Sequence, residues 1–441
     1  MESFQQRLPS NGFPGERHLL RFLFLTQYFP PEVGGPQTRL QSMAAELLRC
    51  GHEVEIVTAL PNYPRGRFFD GYTGKLYVRE MRNGIPVHRV WLYPAMGGGV
   101  GRILNYATFS VTCLYGLFRA TKPDYLIVES PPLTMSIPAC IASRVWGIPF
   151  VFNVADLWPD AIVDNGFLKE GFVHRAFLAL EQWSYRRAAY VNSVTDGIRD
   201  ALFSRKGVPR EKLLHLPNGA DTLHYQPGPP DFALKKKLGL GEKRVILWAG
   251  TLGYAHGLEF VLQAAKLLAN RPDMHFLFLG DGSSRKKLEL LTRELGLQNV
   301  TFRDPVSIEE LPSYYSIAEC GLASLRSLPV HEGAKPSKIF PVLASGKPLI
   351  FVGKGECARL VEEAQAGIVV PPEDPEALAG AILHLFERPD RLREFGANGR
   401  RFVEEHFDWS KLIASWVSQL RLPKSWARDS QSAAPQTKMN A

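Results

Sequence analysis

Short glycine-rich segments recur in this 441-residue chain, each directly after an apolar run. Gly34-Gly35 is the first, and Gly250-Thr251-Leu252-Gly253 and Gly280-Asp281-Gly282 follow in the second half. Missing side chains there let a phosphate or sugar approach backbone amides at a helix start. The same glycines serve equally as tight turns, and none completes a dinucleotide fingerprint, which argues against an oxidoreductase. Pro336-Ser337-Lys338 has the composition of a helix start, where free amide hydrogens and a Lys would receive a diphosphate. Its bland reading is a helix cap with a solvated Lys. Asp156, within Asp156-Leu157-Trp158-Pro159-Asp160, either holds a sugar hydroxyl or acceptor, or caps the helix that follows.

The elements that must position these residues alternate. Leu19 to Thr26 reads as a buried parallel strand, and Thr38 to Cys50 as a helix closed by Gly51. Val54 to Thr58 completes a right-handed crossover unit. Further strands are expected at Val87 to Trp91, Tyr125 to Glu129, Phe150 to Asn153, Tyr190 to Ser193 and Leu213 to Leu216, making a doubly wound α/β domain. Turn residues at Pro217 to Asp221 and three prolines within Pro227 to Pro230 mark a linker, and Val245 to Ala249 begins a second round. The expected division is therefore a first Rossmann-like domain over 1–222 and a second over 223–408. A terminal helix over 409–422 is expected to pack back on the first domain, and a polar tail over 423–441 to be disordered. Two such domains face each other across a cleft at the carboxyl ends of their strands, so the glycine turns, Asp156 and Lys338 should all border it.

Composition narrows the class of partner. With 45% hydrophobic and 22% charged residues the chain is globular, and its net charge of +8 favours anionic partners. No RNA-recognition signature, zinc-finger spacing or continuous Lys/Arg block is present, which argues against nucleic acid and for a phosphate-bearing substrate or an anionic membrane surface. Five widely spaced cysteines without metal-ligand pattern read as buried thiols of a reducing compartment. The first eighteen residues lack a signal-peptide core, so a cytoplasmic protein is expected. Ile103 to Phe118 and Pro131 to Phe152 are apolar but interrupted, and read as buried or interfacial helices rather than membrane spans.

Together these segments resemble glycosyltransferase family four, retaining enzymes of the GT-B fold, in the branch acting in colanic-acid, capsule and O-antigen assembly. The resemblance runs from about Leu19 to Trp416 and rests on the order of Tyr28-Phe29-Pro30-Pro31 with Gly34-Gly35, Asp156-Leu157-Trp158-Pro159, Pro217-Asn218-Gly219, Ala249 to Gly253, Gly280-Asp281-Gly282, and Pro336-Ser337-Lys338 with Ala344-Ser345-Gly346-Lys347-Pro348. It implies retaining transfer from a UDP-sugar, in preference to a GDP-sugar, to a saccharide acceptor carried on a lipid, with neither metal nor separate cofactor. It further implies the acceptor side for the first domain, 1–222, and the nucleotide for the second, 223–408. The setting it implies is the inner face of the cytoplasmic membrane. Gly250, Thr251, Ser337 and Lys338 would hold the donor; Gly34 and Gly35 would lie by the sugar or acceptor, with Asp156 the catalytic carboxylate. The departing diphosphate could itself take the acceptor proton.

Two departures stand out. Many family members carry two glutamates eight positions apart, the second binding the ribose; the matching positions here are Gly333 and Pro341. Glu332, displaced by one residue, and Glu356, after Gly353-Lys354-Gly355, are the carboxylates expected to serve the donor instead. A Lys of the phosphate loop in many relatives is His256 here. The competing readings are a GT-B scaffold that binds nucleotide-sugar without turnover, and a nucleotide-sugar epimerase, which would need further acid/base carboxylates.

Overall fold

The computed structural model describes residues 19–420 apart from 33, 64–65, 96–98, 161–162 and 164–170. The leader and the tail expected to be disordered, 423–441, lie outside the described residues. The first sheet has eight strands, β1 (Arg21–Leu25), β2 (Glu53–Ala59), β3 (Tyr77–Arg82), β4 (Ile85–Val90), β5 (Tyr125–Ser130), β6 (Phe150–Val154), β7 (Tyr190–Ser193) and β8 (Leu213–His215). Their order is β3-β4-β2-β1-β5-β6-β7-β8. The helices between them are α1 (Gly35–Arg49), α2 (Val100–Arg119), α3 (Ser136–Trp146), α4 (Phe172–Arg187) and α5 (Asp196–Ser204). Strand order reverses between β1 and β5, the place where doubly wound sheets open a crevice.

These strands are buried on both faces, which is why they read as continuous apolar runs. Phe22 and Phe24 pack with Leu47 on one side, while Leu23 and Leu25 pack with Phe109 and Phe152 on the other. Two strands escaped the sequence reading, one here and one at Gly367–Val370 in the second sheet. Strand β3 pairs antiparallel with β4 through Asn83-Gly84, both at positive φ, the Asn-Gly hairpin signal. Exposed Arg79 and Met81 on one face, with charged Glu80 and Arg82 on the other, mask the apolar alternation on which strand assignment rests.

The second sheet is wholly parallel, with β9 (Arg244–Ala249), β10 (Met274–Leu279), β11 (Val300–Arg303), β12 (Ala318–Ser324), β13 (Leu349–Val352) and β14 (Gly367–Val370) in the order β11-β10-β9-β12-β13-β14. Around it lie α6 (Phe232–Lys237), α7 (Leu258–Leu267), α8 (Arg285–Glu294), α9 (Leu311–Ile317), α10 (Ile339–Ala344), α11 (Glu356–Glu363), α12 (Pro375–Phe386) and α13 (Pro389–His406). Order reverses between β9 and β12. Helix α10 begins at Ile339, later than the Pro336 start its sequence suggests. Pro341 has no amide hydrogen to give the Ser337 carbonyl, and Phe340 bonds that carbonyl instead, at 3.3 Å. Pro341 thus falls in the first helical turn, where its missing donor costs little.

The last described helix, α14 (Trp409–Gln419), lies on the first sheet's α1 side. Ile413 and Trp416 join the core around Phe22, each burial stabilising by roughly 1.5–3 kcal/mol. The Trp416 indole donates to Asn192 Oδ1 at 3.0 Å, satisfying its one polar atom. Cys113, Cys140, Cys320 and Cys357 are buried, and Cys50 is half-buried at the end of α1. Among the described residues, no helix is long and apolar enough to cross a membrane.

Candidate active site

Two adjoining cavities, of about 590 and about 720 Å³, run between the carboxyl ends of the two sheets. Both are bordered by Gly35, Arg39, Asp156, His256 and Ser337, so the turn after β1 and the start of α10 meet across one cleft. A Cβ added to Gly35 would stand 3.2 Å from Ser337 Oγ, a direct measure of that approach.

The larger cavity belongs mainly to the second sheet. Gly250, at φ 142°, leaves β9 with its amide bonded to the Leu279 carbonyl at 2.9 Å. A Cβ on Gly280 would lie 2.0 Å from the Gly250 oxygen, so the two glycine turns touch backbone to backbone and only glycine fits at Gly280. Thr251, Ser337 and Lys338 line the same space. Lys338 Nζ sits 3.4 Å from the centre of the Trp248 ring and 3.5 Å from His256 Nε2. The opposite ring nitrogen, His256 Nδ1, lies 3.0 Å from the Ser324 carbonyl and must donate to it, leaving Nε2 as the acceptor that faces the ammonium. Burial pushes Lys338 well below the ordinary lysine range, and burial together with the neighbouring Lys338 pushes His256 well below the ordinary histidine range. Lys338 is held by a π face and a neutral imidazole and makes no ion pair among the described residues, so a bound anion would favour its ammonium form.

The smaller cavity reaches into the first sheet. Asp156 follows β6, borders both cavities and is exposed to the cleft, while the protein packed around its carboxyl raises it to about 6. Gly34 stands at the mouth of the larger cavity with Gln37 against it. Beneath Asp156 lie two residues that the sequence reading passed over. Glu129, near the end of β5, accepts from Asn153 Nδ2 at 2.9 Å and faces Arg39 at 3.7 Å. Desolvation raises Glu129 to about 7. The one available signal was a carboxylate closing an otherwise apolar strand, Tyr125 to Glu129.

The two substitute glutamates do not line the larger cavity. Glu356 opens α11, where Gly355 packs against the Glu332 backbone, and its Oε2 accepts from the Asp196 amide at 3.2 Å while Oε1 accepts from the Gly197 amide. It therefore caps α5 of the other sheet, and Lys335 bridges it at 3.1 Å to Asp196 at 3.0 Å. Glu332 is exposed and contributes its carbonyl to the Glu356 amide at 2.7 Å. Pro341 lines the larger cavity and offers no carboxylate.

Residues 34–219 match the model of the glycosyl transferase 4-like domain, and residues 231–402 that of the glycosyl transferases group 1. The chain belongs to glycosyltransferase family four. This glycosyltransferase is similar to the putative colanic acid biosynthesis glycosyl transferase WcaI of Escherichia coli K12, at 26% identity over 89% of this chain and 98% of the relative. It is also similar to the GDP-mannose-dependent alpha-(1-6)-phosphatidylinositol monomannoside mannosyltransferase of Mycolicibacterium smegmatis, at 27% identity over 88% of this chain and 94% of the relative. Among solved structures, Anabaena Alr3699/HepE in complex with UDP-glucose superposes with a TM-score of 0.69 at 19% identity, covering 91% of this chain and 100% of that one. Sucrose-phosphate synthase from Thermosynechococcus elongatus gives 0.71 at 18% identity over 94% and 100%. The fold of this glycosyltransferase is GT-B, two parallel α/β sheets across a cleft.

Proposed function

We propose that the chain transfers a sugar from a UDP-sugar to a lipid-linked saccharide with retention of anomeric configuration, in the assembly of a surface polysaccharide. The observation that carries the donor half is Lys338, a lysine in no ion pair among the described residues, on the floor of a cavity rimmed by Gly250, Thr251 and Ser337. On this reading the residues over 223–408 hold the nucleotide and those over 1–222 the acceptor, with the reacting sugar where the two cavities adjoin, beside Gly35 and Ser337. The bond from C1 to the diphosphate oxygen breaks as the acceptor oxygen bonds C1 on the same face. The departing diphosphate oxygen takes the acceptor proton, and Lys338 with the turn amides stabilises its charge. Asp156 holds the acceptor or sugar hydroxyl beside the reacting carbon. The UDP-glucose bound by the Anabaena relative and the surface-polysaccharide role in the Escherichia coli relative's name support the choice of donor and pathway class.

A peripheral contact with the anionic inner face of the membrane belongs to the same proposal. Helix α2 exposes Ile103, Val111 and Phe118, and its neighbour α3 exposes Ile141 and Val145. Neither helix carries an acidic residue, while Arg102, Arg119 and Arg144 supply positive charge, a combination that suits anionic lipid.

Incubation with a panel of UDP- and GDP-sugars, with and without membrane lipid extract, tests the reaction through nucleotide release, and the anomeric proton coupling of the product tests retention. Binding of nucleotide without release on any donor would favour the scaffold reading, for which the absent carboxylate at Pro341 is the motive. Co-sedimentation with phosphatidylglycerol vesicles at low salt tests the membrane contact; Val111→Glu should abolish it, and equal sedimentation of both proteins would rule out this face.

A further inference from the structure

A buried carboxylate away from the reacting groups ties together the two loops that form the first sheet's wall of the larger cavity. Glu32, in the turn after β1, is 1% exposed, and its Oε1 accepts from the amides of Asn62 and Tyr63, each at 2.8 Å. Its Oε2 accepts from the Phe29 amide at 3.4 Å. Asn62 and Tyr63 follow β2, so the carboxylate reaches from one loop to the next. Arg89 on β4, fully buried, serves the same two segments. It donates to the Pro30 carbonyl and, at 3.2 Å, to the Ala59 carbonyl, while its Nε pairs with Glu80 at 2.7 Å. Glu32 thus takes the loops' N–H groups and Arg89 their carbonyls.

The sheet itself does not call for this tie. Strands β1 and β2 are already paired from Arg21 opposite Glu53 to Leu25 opposite Val57, and the Thr26 amide reaches the Val57 carbonyl at 3.1 Å. Burial works against the Glu32 charge and raises it to about 7, with the Asn62 and Tyr63 amides, Arg89 and the Phe29 amide opposing. A buried carboxylate is a costly fastener where the strands are already joined, so its use lies in what the two loops bring to the cleft. The turn brings Gly34 and Gly35, and the loop after β2 brings Tyr63 and Phe69, all lining the larger cavity. The Tyr63 ring packs edge-on against Tyr28 with centres 5.4 Å apart. Burial raises its hydroxyl, Arg102 opposes, and Glu32 and then Asp281, in the turn of the opposite sheet, add to the rise.

We propose that Glu32 is a positioning residue for the transfer: by its reach rather than its charge, it sets how far Gly34-Gly35 and Tyr63 stand from the second sheet's turns, and with that the fit of the donor's sugar. The margin is small, since a Cβ on Gly35 would already lie 3.2 Å from Ser337 Oγ. Letting go of the Asn62 and Tyr63 amides would free the loop after β2 to move independently of the turn after β1, and the wall of the cavity would lose its single arrangement. The second sheet, which receives the diphosphate on the proposed reading, has no part in the tie.

The proposal rests on the UDP-sugar reading for its ligand, and two variants of the full chain test it. Glu32→Gln keeps an oxygen where Oε1 stands and loses the charge; Glu32→Asp keeps the charge and loses the reach of one methylene. Amide exchange of the ligand-free chain, followed by mass spectrometry, should be about tenfold faster in the peptides holding Phe29 and Asn62-Tyr63 for Glu32→Asp, and within about twofold of the parent chain for Glu32→Gln, with the second sheet unaltered in both. Calorimetry should find UDP affinity within about twofold in all three chains, and the ratio of UDP-glucose to UDP affinity about fivefold lower in Glu32→Asp alone, the equivalent of one lost neutral hydrogen bond. Parent-like exchange in Glu32→Asp, an unaltered affinity ratio in that variant, or a Glu32→Gln chain as loose as Glu32→Asp overturns the inference. If Glu32→Asp does not fold, Glu32→Gln decides alone: parent-like exchange and ratio support reach over charge, and a change in either overturns it. A parent chain that binds neither UDP nor UDP-glucose counts against the donor reading instead, and the exchange comparison still tests the tie.

Discussion

The two sheets meet the cleft through the same device, a glycine turn after the strand at the switch point, and present opposite chemistry there. At the first sheet the strand ends deliver carboxylates, Glu129 and Asp156, with Arg39 shared between Glu129 and backbone. At the second, the corresponding turn meets Lys338, framed by Trp248 and the neutral His256. Doubly wound architecture therefore provides the place twice, and a few side chains at strand and helix ends decide what each place receives. On the proposed reading the first place receives the acceptor and the second the diphosphate of the donor.

The sharpest way to break this contrast is at Asp156. Asp156→Asn should lower turnover on the order of a hundredfold or more while UDP binding stays within about twofold. Full turnover in the variant would reduce Asp156 to a structural cap. On the cationic side, Lys338→Ala should weaken nucleotide-diphosphate binding by about 1–3 kcal/mol, measured by calorimetry. Unchanged affinity would move the phosphate site away from α10.

The anionic floor also predicts a pH dependence. Glu129 at about 7 and Asp156 at about 6 both lie above their ordinary values of 4.5 and 3.8, so the folded chain holds more protons than the unfolded one in between. The stability contributed by these groups is complete below the ordinary carboxyl range and is lost progressively as the pH rises from that range through about 6 for Asp156 and about 7 for Glu129. Urea midpoints of the ligand-free chain should fall across that window, and Glu129→Gln should flatten the fall. A fall of the same slope in that variant would assign it to other carboxylates, Glu32 among them, which burial also raises to about 7. The smallest effect is expected at Glu356→Gln. Losing the charge that caps α5 and pairs with Lys335 should cost about 1 kcal/mol of stability and leave UDP affinity unaltered. A large loss of UDP affinity would return Glu356 to the donor site.

Much of the fold was legible because parallel strands buried on both faces are written as apolar runs, and glycine turns punctuate them. Strand β3 was hidden by its charged edge face, and the late start of α10 by the interplay of Pro341 with the Ser337 carbonyl. Gly35, Gly250, Ser337 and Lys338 line the cleft as the sequence reading expected, since each sits beside a local signal. Glu332 and Glu356 were singled out by nearness in sequence to the family's glutamate positions. That criterion failed because a carboxylate near the right position also needs the right direction, and the Gly355 turn aims Glu356 at the amides of Asp196 and Gly197.

By itself the sequence determined the two sheets, the turns that open toward a ligand and the family, since hydrophobic period and turn chemistry are local properties carried by neighbouring residues. Only the tertiary structure decided which polar groups share a cavity. Arg39, Glu129 and Asn153 come from three separate elements and meet at one floor, and Lys338 gains its π face and imidazole from β9 and the turn that follows it. Distances between elements, rather than any pattern along the chain, set those contacts, and with them the charge that each half of the cleft presents.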